Sequence, residues 1–137
     1  HDPLRRQRQM CIRDSLYTEP ETCIGFWVAV EDATSENGCM YAEAGGHQGP
    51  LRSLFGDVDG ELQMQQLDET ALGAADTALT ADKGTLVLLH GRLPHLSGAN
   101  TSAKSRHAYA LHVIDGTARY AETNWLQRGP EHPLNGF

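Results

Sequence analysis

Three short apolar runs set the range of folds open to this chain. Thr22 to Glu31 (TCIGFWVAVE), Gly84 to His90 (GTLVLLH) and Ser105 to Ile114 (SRHAYALHVI) are rich in β-branched and aromatic residues and bounded by turn-forming residues. Each is too short for an ordinary core helix, and none approaches the roughly 20 apolar residues that cross a bilayer. The expected units are therefore short strands joined by loops, and the expected class is all-β, a sandwich or jelly roll.

Side chains alternate along a strand, so TCIGFWVAVE presents Thr22, Ile24, Phe26, Val28 and Val30 on one face and Cys23, Gly25, Trp27 and Ala29 on the other. Small residues flank Trp27, which leaves room beside the indole for a ligand or for a close-packed partner sheet. The DATSENG segment (32–38) has turn chemistry, so Cys39 to Ala44 is expected to return as the second strand of a hairpin. Gly45, Gly46, Gly49 and Pro50 then break regular structure, and Gly56 to Asp82 is expected to form a surface excursion with a loop or short helix near Met64 to Ala75. GTLVLLH is apolar on both faces and reads as a buried strand. The Gly, Pro, Asn and Ser-rich stretch after it is expected to reverse the chain into Ser105 to Ile114 as its neighbour.

Charge narrows the partners. Eighteen acidic against eleven basic side chains give a net charge of -7, which argues against nucleic acid and against anionic membranes. Three cysteines (Cys11, Cys23, Cys39) without a CxxC spacing suggest neither a disulfide framework nor a structural zinc site, and a reducing, cytoplasmic setting is expected. The head of the chain differs from the rest: Arg5, Arg6, Arg8 and Arg13 stand against Asp2 alone. No apolar stretch follows to make it a secretion signal. MCIRDS also resembles the conceptual translation of a sequencing-adapter end, as in metagenomic gene calls. Residues 1–14 are thus expected to be a non-native or disordered head, and 15–137 the domain proper.

His95 and Arg106 stand on either side of the loop between the last two apolar runs, where a reversal can bring both to one mouth of a sheet. A guanidinium withdrawn from water needs a planar anion, which a carboxylate satisfies best, and Ser97 can add a hydroxyl donor. An imidazole beside a carboxylate-binding arginine fits a divalent metal chelated by an organic acid, as in 2-His-1-carboxylate iron sites. A structural His and Arg pair fits the same spacing equally well.

The strings LYTEP, IGFWVAVEDATSENGC, GTLVLLHGRLPHLSGANTS, SRHAYALHVIDGTARY and NWLQRGP, taken in this order, resemble the phytanoyl-CoA dioxygenase family over nearly all of Leu16 to Phe137 apart from 51–82. The resemblance implies the C-terminal part of a double-stranded β-helix, a jelly-roll variant, and an Fe(II)- and 2-oxoglutarate-dependent oxygenase acting on a small-molecule substrate. It implies His95 as a metal ligand, Arg106 and Ser97 as holders of the distal carboxylate of 2-oxoglutarate, and Trp27 as a wall of that pocket. It also implies an HxD motif a few residues before LYTEP. Here Ile12 and Asp14 stand nearest those positions, Asp14 is about two residues too close to Tyr17, and His1 and Asp2 are adjacent. The chain is therefore expected to be an inactive fragment of a longer active parent.

Other residues have alternative readings. His112 shares the alternation of Arg106 and is the substrate-side candidate, while His90 and His107 read more readily as packed imidazoles. His47 is expected to hold a turn, Trp125 to dock the C-terminal segment, and Cys23 and Cys39 to fill core space. A noncatalytic jelly-roll ligand-binding module or pseudoenzyme stays open beside the oxygenase. A metal hydrolase built on His90 and His95 lacks a carboxylate at useful spacing.

Overall fold

The computed structural model describes residues 16–136. The head at 1–14, with Asp14, lies outside the described residues. Strands dominate: β1 (Thr18–Glu19), β2 (Ile24–Ala29), β3 (Met40–Ala42), β4 (Ser53–Val58), β5 (Glu61–Gln66), β6 (Thr77–Leu79), β7 (Leu86–His90), β8 (His95–Ser97), β9 (Ala108–Val113) and β10 (Arg119–Tyr120).

They form two three-stranded antiparallel sheets, ordered β7-β2-β9 and β6-β3-β8, with two ribbons, β4-β5 and β1-β10. Trp27 and Ala29 of β2, Leu89 of β7, Met40 of β3 and the adjoining Cys39, Ala33 and Ala81 make the buried core between the sheets. Small side chains around one indole let the layers approach closely, as the alternation along TCIGFWVAVE suggests. The all-β, jelly-roll class expected from the sequence is what the chain adopts.

Five local expectations are corrected. TCIGFWVAVE and the segment after DATSENG do not pair: β2 bonds β7 and β9, whereas β3 bonds β6 and β8. The turn chemistry is present, with Asn37 Oδ1 accepting from the Thr34 N–H at 2.7 Å and Gly38 at φ 86, but it carries the chain across to the other sheet. A Cβ at Gly38 would also sit 2.7 Å from the Gly98 carbonyl, so this corner requires glycine twice over. Likewise the stretch after β7 is a crossover and no simple reversal, because β8 within it joins the second sheet and β7 and β9 flank β2 on opposite sides.

The helix expected near Met64 to Ala75 is absent; β5 occupies 61–66 and irregular chain follows. The β4-β5 pairing overrides a weak local pattern, and Gly56 of β4 approaches the C-terminal segment so closely that a Cβ would lie 2.1 Å from the Thr123 carbonyl oxygen. β7 is buried on one side only: Leu88 is 58% exposed and Leu86 50%, and they share an outer face with Ile24, Phe26, Val28, Tyr109 and Leu111. Trp125 is 36% exposed; its neighbour Asn124, at 4%, anchors the C-terminal segment instead. No helix of the described residues is long and apolar enough to cross a membrane.

Candidate functional site

In the β3-β8 pair Met40 stands opposite Ser97 and Ala42 opposite His95. Residues directly opposite in a ladder share a face, and Met40 and Ala42 are buried, so His95 and Ser97 point inward between the sheets. His95 Nδ1 lies 2.9 Å from the Leu93 carbonyl oxygen. A carbonyl can only accept, so the neutral ring carries its proton on Nδ1 and leaves the Nε2 lone pair as the ligand or acceptor.

The facing sheet supplies the other wall. Trp27 stands opposite Ala110 and Val87, and Gly25 opposite His112 and Leu89. A Cβ at Gly25 would meet His112 Cδ2 at 4.0 Å, so the missing side chain keeps space open beside that imidazole. Arg106, in the loop entering β9, sets its guanidinium 5.8 Å from the Trp27 ring centroid and donates from Nη2 to Ser97 Oγ at 3.4 Å. Among the described residues no ion pair involves Arg106. A half-buried guanidinium held by one long hydroxyl contact over an aromatic face is unsatisfied by the protein and suited to a planar anion.

The structure thus brings Trp27, His95, Ser97, Arg106 and His112 to one cavity of about 210 Å³, with His90 at its edge. His90 Nδ1 accepts the Arg92 backbone N–H at 3.1 Å, and its ring lies obliquely against His47 with centroids 5.3 Å apart. His107 points away, its Nδ1 3.0 Å from Glu31 Oε2. A smaller cavity of about 40 Å³ beyond His90 is closed by the Arg92–Glu21 ion pair and is mainly apolar. Burial pushes the Cys23 thiol beside it above its ordinary value, which disfavours the thiolate. Among the described residues no three His, Cys, Asp or Glu side chains converge to hold a metal ion.

Sequence reasoning missed Leu93, whose carbonyl sets the His95 tautomer, and Glu31 and Asn37, which bond the residues around Arg106. Backbone carbonyls leave no trace in a sequence. Glu31 and Asn37 are visible in VEDATSENG, but only as the last residue of a strand and as a turn residue.

The fold and this cavity define an all-β jelly-roll protein with an inward arginine and an inward histidine on facing sheets. The family model for phytanoyl-CoA dioxygenase (PhyH) matches residues 10–108, and the chain belongs to that family. It is 38% identical over 114 residues to phytanoyl-CoA dioxygenase of Arabidopsis thaliana, covering 82% of this chain and 40% of that protein. It is 37% identical over 128 residues to phytanoyl-CoA dioxygenase domain-containing protein 1 of Bos taurus, covering 87% of this chain and 43% of that one. The chain therefore spans about two fifths of the length of these curated relatives. Among solved structures, EvdO2 from Micromonospora carbonacea var. aurantiaca complexed with 2-oxoglutarate matches at a TM-score of 0.52 and 28% identity, over 77% of this chain and 44% of that one.

Proposed function

We propose that this chain carries the cosubstrate end of an Fe(II)- and 2-oxoglutarate-dependent oxygenase that hydroxylates a small-molecule substrate. The observation that carries the reading is the Arg106 guanidinium, free of any carboxylate partner among the described residues, over Trp27 and beside Ser97 in a cavity that also receives His95. The donor set fits the distal carboxylate of 2-oxoglutarate: Arg106 offers a planar fork, Ser97 a hydroxyl, and Trp27 an apolar wall that holds the fork and excludes water. The likeness to EvdO2, solved with 2-oxoglutarate, supports it. His112, beyond Gly25, faces the substrate side.

For iron, His95 offers one imidazole through Nε2, and the described residues do not supply the two further ligands that a 2-His-1-carboxylate site needs. The protein's part in the chemistry is to bind the diacid, orient it and keep water away.

Calorimetric titration with 2-oxoglutarate tests the reading. Arg106→Ala removes a charge-assisted pair from a half-buried site, so affinity should fall roughly a hundredfold. Arg106→Lys should recover part of it, since charge remains and the fork is lost. Arg106→Ala with wild-type affinity overturns the assignment. A noncatalytic binding module is the second reading, favoured because Arg106 and Ser97 need no metal to hold a diacid. Release of carbon dioxide from 2-oxoglutarate by a longer protein carrying this region decides for the oxygenase, and binding without release decides for the module.

A further inference from the structure

The residues on either side of Arg106 are tied down by groups outside the cavity. Glu31, just beyond the end of β2, accepts the Ser105 hydroxyl through Oε1 at 2.9 Å. Its Oε2 accepts the His107 backbone N–H at 2.8 Å and faces His107 Nδ1 at 3.0 Å. The His107 carbonyl in turn accepts the backbone N–H groups of Val30 at 3.1 Å and Glu31 at 3.3 Å. Asn37, buried at 4% exposure, donates from Nδ2 to the Ser105 carbonyl at 3.2 Å and to the Asp32 carbonyl at 2.7 Å. Arg106 itself makes one long side-chain contact, to Ser97. Its backbone is thus fixed from both flanks while its guanidinium stays free for a ligand.

We propose that Glu31, assisted by Asn37, is a positioning residue for Arg106: its carboxylate clamps Ser105 and His107 so that the guanidinium is held over Trp27 before any ligand arrives. This rests on reading Arg106 as the carboxylate-binding group. The clamp needs a carboxylate and no isostere, because three donors converge on two oxygens. Glutamine keeps the shape but not the charge: with its NH2 toward His107 two donors lose their acceptor, and with its NH2 toward Ser105 that hydroxyl must accept instead of donate while both His107 N–H contacts lose their charge assistance. Preorganisation matters because a fork ordered only on binding must lose its rotamer freedom at that moment.

Two measurements on the 137-residue chain separate this proposal from the one beneath it. In the first, the Nε–Hε resonance of Arg106, assigned by its loss in Arg106→Lys, is followed by NMR without any ligand. Glu31→Gln should move it toward the free-arginine position and raise its mobility. In the second, affinity for 2-oxoglutarate should fall roughly tenfold in Glu31→Gln and be partly retained in Glu31→Asp, with pyruvate as the control lacking a distal carboxylate. Asp115→Asn, which disturbs an equally exposed hydrogen-bonded carboxylate away from the cavity, should leave the Arg106 resonance unchanged. An unaltered Arg106 resonance in Glu31→Gln overturns the clamp even if Arg106→Ala abolishes binding. A shifted and mobile resonance upholds it even if wild-type protein ignores 2-oxoglutarate, in which case the cosubstrate reading alone falls.

Discussion

Asn124 joins the end of the chain to its beginning, and replacing it tests how the sheets are held in register. Its Oδ1 accepts the Tyr17 N–H at 2.8 Å and its Nδ2 donates to the Tyr17 carbonyl at 2.8 Å, a closed pair between residues 107 positions apart. Asn124→Ala would leave both backbone groups of Tyr17 without these partners in a site from which water is largely excluded. An orphaned N–H costs about 1–3 kcal/mol, and the carbonyl loses less because the Ala121 N–H still reaches it at 3.2 Å, so a loss of about 3 kcal/mol is expected. With an unfolding entropy of about 0.25 kcal/mol/K for a domain of this size, Tm should fall by about 10 °C in thermal melts followed by circular dichroism. Asn124→Asp keeps the acceptor for the Tyr17 N–H but sets a second oxygen against the Tyr17 carbonyl, so at neutral pH it should be nearly as damaging. A protonated carboxyl can donate to that carbonyl, so acidification should restore part of the lost stability relative to wild type. If Asn124→Ala melts within about 2 °C of wild type, the pair is not holding the termini together and the argument fails.

Three further outcomes follow from the same geometry. Nitrogen NMR at pH 8 should show His95 protonated on Nδ1, as its contact with the Leu93 carbonyl requires, and an Nε2–H tautomer would remove it as a ligand candidate. Glu31, Asp68 and Asp115 are all held below their ordinary values, chiefly by hydrogen bonds from His107, Thr70 and Thr117 respectively. Folded-state values that are depressed give stability present above the unfolded values and lost as pH falls through the folded ones, so melts should decline below about pH 4, less steeply in Glu31→Gln. An acid limb as steep in that variant as in wild type would contradict the role given to Glu31. The outer face of the β7-β2-β9 sheet exposes Leu86, Leu88, Tyr109 and Leu111 together, so light scattering should report concentration-dependent association that Leu88→Lys reduces severalfold, and a concentration-independent monomer would refute this.

How far the sequence disclosed this arrangement depends on the range of the forces involved. The alternation in TCIGFWVAVE is local and periodic, and it separated Trp27 and Gly25 from Phe26, which the structure places on the inner and outer faces respectively. Turn chemistry is local too, but DATSENG specifies only that the chain bends. Whether β3 pairs β2 or crosses to a second sheet depends on which edges remain free after β7 and β9 have flanked β2, and that is decided by residues more than fifty positions away. The apolar residues of GTLVLLH announced burial, yet Leu86 and Leu88 face outward, because a run apolar on both faces does not record which face the rest of the chain covers.

The cavity shows the same division and explains why its contents were easier to find than its supports. His95, Ser97 and Arg106 have side chains whose chemistry is conspicuous in any sequence, and a loop of ten residues between His95 and Arg106 restricts how far apart they can lie. Arranging them depends on groups with no such signature: the Leu93 carbonyl that turns one imidazole, the absent side chain at Gly25, and a glutamate that passes for the last residue of a strand until Ser105 and His107 are seen bonded to it. On the proposed reading, binding a diacid asks more of Arg106 than charge. Its fork must already face the cavity, and a loop between two strands does not hold a long side chain still by itself. The fold supplies that rigidity by anchoring both neighbours of Arg106 to the end of β2, the same strand that carries Trp27. One strand therefore sets both the surface the guanidinium rests on and the height at which it is held, so a shift of β2 moves the two together and preserves their spacing.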